Sequence, residues 1–230
     1  MHNYWLIEIL LALAAALVAS QYWYIARDRC RSPALLVVAA MLSLALAAIA
    51  GAYRYGIDPA TTGLHRALTQ LSGYLTFLLS GLALLWVRLA PQLGRHRRWP
   101  AYAVLALVLA AAVGAVSSPQ FSAAGVSRFC STLGIALWLL VALWRLFSAR
   151  FMPRYQALLL AAGAVLVVFA GLVIGTGATT VLGLARTNWF HLLLAAGALS
   201  LLCARPLFTD TDHSQQAPAP VCKKGETPRE

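Results

Sequence analysis

The sequence predicts an all-α integral membrane protein: a bundle of about seven transmembrane helices, with the N-terminus outside and the C-terminus in the cytoplasm. Three observations predict this. Hydrophobic residues fill 61% of the 230 positions and charged residues only 11%, well below the quarter or so of a soluble domain. The apolar residues fall into separate runs, each long enough to cross a hydrocarbon layer of roughly 30 Å at about 20 residues per helix. The basic residues then alternate between rich and poor connecting segments.

In chain order the runs extend from Tyr4 to Tyr24, Pro33 to Tyr53, Ala67 to Ala90, Trp99 to Val116, Phe129 to Phe147, Tyr155 to Ile174 and Trp189 to Ala204. Charges or proline bound most of them, and Gly175-Thr176-Gly177 follows the sixth. Aromatic residues such as Trp5, Trp23, Tyr53, Trp99, Trp144 and Trp189 lie near the run ends, where an amphipathic ring suits the headgroup layer. These runs make residues 1–208 one membrane domain. The polar segment 209–230, with Pro218 and Pro220, has too little apolar surface to fold alone. It reads as a disordered cytoplasmic tail that can dock a partner.

Orientation follows from the cations. Segments on one side hold fourteen Lys and Arg, among them Arg27, Arg88, Arg145 and Lys223, whereas the other side holds Arg54, Arg66, Arg128 and Arg186. The rich side is cytoplasmic by the positive-inside rule. Because the +11 net charge sits at the ends of apolar runs, it speaks for topology and anionic headgroups in the lipid bilayer, not for nucleic acid. Val18-Ala19-Ser20 resembles a signal cleavage site, but no Lys or Arg precedes the first run and Glu8 interrupts it. Cys130 falls on the outer side, apart from Cys30, Cys203 and Cys222, so a disulfide framework is not expected. The Ala, Leu and Arg usage fits a bacterial inner-membrane protein.

Two groupings carry candidate chemistry. In the third run His65, Thr69, Ser72, Thr76 and Ser80 fall within an arc of about 80° at helical spacing, a polar stripe about 22 Å long. Such a stripe either lets helices approach and hydrogen-bond or lines a hydrated cleft. The second grouping is Glu8, His65 and His191. All three lie near the outer ends of their helices, where ionisable groups within spans face the bundle interior or water. Two histidines and a carboxylate can hold a divalent metal, zinc above all, with an open position for water. His65 and His191 can instead ligate a haem. Asp58 and His2 are further outer-side candidates, while His96 and His213 fall in the cytoplasm.

Seven helices, an outside N-terminus, a histidine at the third run and another in the seventh resemble the alkaline ceramidase and adiponectin-receptor superfamily of zinc-dependent membrane hydrolases. Thr61 stands four residues before His65, where that superfamily has a serine, and His191 matches the first histidine of its seventh-helix HxxxH motif. The second motif position is Ala195 here, and the superfamily's aspartate has no counterpart within a run. The resemblance implies a metal-assisted hydrolase acting on a lipid, here at the outer leaflet. The residues alone leave two other classes open: a bis-histidine haem protein, and a transporter, receptor or assembly partner without catalysis.

Overall fold

The computed structural model describes residues 4–28, 31–89, 97–148, 152–177 and 179–209. Seven helices in it are long and apolar enough to cross a membrane. They are α1 (Tyr4–Asp28), α2 (Ser32–Gly56), α3 (Thr62–Leu89), α4 (Trp99–Ser117), α5 (Ala123–Phe147), α6 (Arg154–Phe169) and α7 (Arg186–Ser200). A five-residue π-helical turn, Ala170–Ile174, prolongs α6. A 3₁₀ turn and the short α8 (Arg205–Thr209) prolong α7. His2, Cys30, His96 and nearly all of the predicted tail lie outside the described residues; Thr209, its first residue, closes α8.

Local chemistry sets the ends. Pro33 and Pro100 occupy the first turns of α2 and α4, where a missing N–H costs nothing. Ser122 caps α5, its Oγ accepting from the Gly125 amide at 3.1 Å, and so satisfies an amide that the helix leaves unpaired. Three beginnings differ from the apolar runs by more than one residue. α3 starts five residues earlier than Ala67, α5 six residues earlier than Phe129, and α7 three residues earlier than Trp189. The added turns are polar, and helical hydrogen bonding satisfies their backbone as well as water does. A two-stranded hairpin of β1 (Thr180–Val181) and β2 (Leu184–Ala185), turning through Leu182 and Gly183 at positive φ, precedes α7. Hydropathy gave no hint of it.

Six helices close a ring: α1 packs on α2 and α7, α2 on α3, α3 on α5, α5 on α6, and α6 on α7. α4 leans on its outside and buries only Ala101 and Ala112. Small residues decide the close approaches. A Cβ at Gly134 of α5 would collide with the backbone of Phe77 and Leu78 in α3, and one at Gly81 would collide with the Gly134 carbonyl. The Ser131 hydroxyl donates to the Gly73 carbonyl at 2.9 Å across the same seam. Gly163 of α6 and Gly197 of α7 meet Ser200 and Val167 in the same way. Backbones brought this near exchange dispersion and polar contacts that need no hydrophobic driving force. Deeper in the ring, Tyr22 donates to the Leu201 carbonyl at 2.7 Å and Trp138 to the Leu160 carbonyl at 3.1 Å.

Candidate functional site

The first turns of α1, α3 and α7 and the last turns of α2 gather at one end of the ring. Trp5 packs on Gly56, Tyr4 stacks against Tyr55 at 5.5 Å, and Tyr55 meets His65 edge-on at 5.9 Å. Glu8 lies beneath this aromatic rim. It is 2% exposed although only one helical turn from the start of α1.

Glu8 is held by two neighbours. Its Oε1 is 3.4 Å from Nδ1 of His191, whose side chain is 16% exposed. On the other side its carboxyl lies against Gly51 of α2, close enough that a Cβ there would be 2.6 Å from Cδ and Oε1. The missing side chain at position 51 is therefore the space in which the carboxyl sits. Oε1 has no hydrogen bond of acceptable geometry, so its contact with His191 is one of proximity. Arg54, one turn beyond Gly51, covers the Tyr55 ring with its guanidinium at 4.9 Å.

α7 brings a further polar group that the sequence reading missed. Asn188, His191, Ala195 and Ala198 share one helical face, the face by which α7 meets α1. Asn188 is 5% exposed and its Oδ1 has no partner. Because side chains on a helix lean toward its N-terminus, the Glu8 carboxyl reaches up toward the level of Asn188 and His191. Arg186 anchors this beginning of α7 to the end of α6, its guanidinium donating to the Ile174 and Val173 carbonyls. Those are last-turn carbonyls without helical partners, which a cation near a helix C-terminus satisfies.

The predicted triad is only partly assembled. Glu8 and His191 meet, whereas His65 has its Nδ1 3.3 Å from the Ala47 carbonyl. Among the described residues no three of His, Cys, Asp and Glu are grouped to hold a metal ion. The set falls short of a zinc site because His65 is not gathered with Glu8 and His191. Asp58 is likewise occupied, its side chain accepting from the Ala60 amide at 2.9 Å to cap a 3₁₀ turn. Thr61, the counterpart of the superfamily's serine, donates to the Asp58 carbonyl. Ala195, at the missing motif position, is buried in the ring.

The stripe on α3 divides. Thr69 is exposed, whereas Ser72, Thr76 and Ser80 are buried. Thr76 Oγ1 is 2.8 Å from the Ser72 hydroxyl and 3.1 Å from that of Ser43 on α2. Ser43 and Ser80 donate in turn to the Ala40 and Thr76 carbonyls. These hydroxyls are satisfied by one another and by backbone, so they join α2 to α3 and do not line a wet cleft. The chain matches no family model, no curated protein and no solved structure.

Proposed function

We propose that the protein is a multi-pass membrane protein of the transporter or receptor class whose outer end exchanges a proton at the Glu8–His191 pair. The observation that carries this is the buried carboxyl, seated against Gly51 and 3.4 Å from an imidazole. Such a pair is neutral overall whether the proton sits on oxygen or on nitrogen, which is the form that a membrane interior tolerates best. Loss of one proton leaves a negative charge that Arg54 can offset, and gain of one leaves a positive charge that water or movement of the helices must accommodate. α1, α2 and α7 each contribute to the pair's surroundings, so a change in protonation bears directly on how these three pack. The outward orientation follows from the fourteen-to-four distribution of cations.

Metal-assisted hydrolysis of a lipid has weaker support, because the ligands it needs are not gathered. A haem between His65 and His191 has no observation in its favour beyond the two imidazoles themselves. The test is proton binding by protein in lipid nanodiscs, read by infrared difference spectra between acidic and neutral buffer. A carboxylic-acid band that vanishes in Glu8→Gln and shifts in His191→Asn is expected, with the double variant no different from Glu8→Gln. Identical spectra for the parent and Glu8→Gln would defeat the proposal. Zinc co-purifying at one ion per chain, and lost in either variant, would restore the hydrolase.

A further inference from the structure

A second site lies away from the Glu8 pair. Between α3 and α4 runs a groove of about 310 Å³, walled by Leu71, Leu109 and Val113 and carrying the polar groups of Gln70, Tyr74 and Ser117. We propose that it holds one acyl chain of an anionic phospholipid, with the phosphate at Arg66.

Packing, register and charge argue for this occupant. α4 buries only two of its residues, so a chain lying in the groove supplies the contact area that its neighbours do not. The register of α5 fixes which end of the groove is polar. Tyr74 donates to the Ala123 carbonyl at 3.4 Å, and Gly73 lies against Ser127. The start of α5, and the end of α4 that leads into it through a short turn, therefore lie near this part of α3. Ser117 and Gln70 stand at that end of the groove. Leu109 is eight residues back along α4, about 12 Å deeper. Gln70 and Tyr74 both line the groove here and give it a polar rim that suits a lipid's ester groups. Arg66 is one turn above Gln70 on α3 and exposed, about 6 Å further out. It is one of four cations on the cation-poor side. A guanidinium over an apolar slot with a polar rim matches a phosphate, its esters and a tail.

The test uses the full chain released gently from vesicles of phosphatidylglycerol and phosphatidylethanolamine, with retained lipid identified by native mass spectrometry. The parent should retain phosphatidylglycerol in preference. Val113→Trp, which fills the groove from its exposed wall, should lower retention severalfold. Arg66→Gln should keep a bound lipid but lose the preference for the anionic one. Leu107→Trp, on an exposed position of α4 outside the groove, should behave as the parent, and so should Glu8→Gln. Each variant is first shown to melt like the parent; should Val113→Trp not, Val116→Trp replaces it. Full retention in the tryptophan variant, equal retention of both lipids by the parent, or a second copy of the chain in place of lipid would each overturn the proposal.

Discussion

A Cβ at position 51 would lie 2.6 Å from Cδ and Oε1 of Glu8, well inside van der Waals contact. Gly51→Ala should therefore displace the carboxyl and lower stability by roughly 1–3 kcal/mol, the usual cost of overpacking. Thermal unfolding in detergent measures it. Removing the carboxyl removes the collision, so in the Glu8→Ala background the same substitution should cost little. Equal losses in both backgrounds would mean that the glycine serves the backbone of α2 and not the carboxyl. Position 51 was overlooked in the sequence because an alanine-rich run hides a glycine whose role is to leave space. Asn188 was overlooked for a related reason: a lone amide beside Trp189 at the start of an apolar run reads as interfacial, and only the burial of its face marks it out.

Between elements, two seams of different chemistry hold the ring. The α3–α5 seam depends on backbone approach at Gly134, so Gly134→Val must drive the helices apart. Its cost should lie at or above ~3 kcal/mol, the upper end of overpacking penalties, whereas Gly114→Val, with open space around it, should melt as the parent does. The α2–α3 seam rests on hydroxyls. A double-mutant cycle of Ser43→Ala and Thr76→Val should return a coupling of only about 0.6 kcal/mol, typical of such bonds inside a membrane. A coupling several times larger would show that the chain of hydroxyls acts as one network. The stripe was legible as a stripe, since its spacing repeats with the helix. Its division into an exposed Thr69 and a buried Ser72 to Ser80 was not, because the tilt of a neighbouring helix leaves no trace in spacing.

For the whole molecule, topology is the prediction with most at stake. Reporters active only outside the membrane should work when fused after Asp58, Gly125 and Ala178, and fail after Arg31, Arg97, Pro153 and Ser214. Activity at Ser214 would make the number of crossings even and would first call the seventh into question. Truncation after His213 should leave a folded, inserted protein, since the chain beyond it has little apolar surface to bury. Loss of detergent-stable protein on truncation would show that the segment packs against the bundle.

What the sequence determined by itself is the count of helices long and apolar enough to span a membrane. Apolar length is a local quantity, set by the thickness of a hydrocarbon layer, and it yielded seven such helices, with starts up to six residues from those observed. It also yielded the shared depth of Glu8, His65 and His191, because depth depends only on distance from a helix end. Which of the three meet was decided by the tertiary structure. Rotation of a helix about its axis is fixed by what packs on it, here Gly51 beneath the carboxyl, the Ala47 carbonyl beside His65 and Arg186 pinning α7 to α6. Three side chains at one depth became a buried pair and a neighbour, and among the described residues they are not gathered into a metal-binding group.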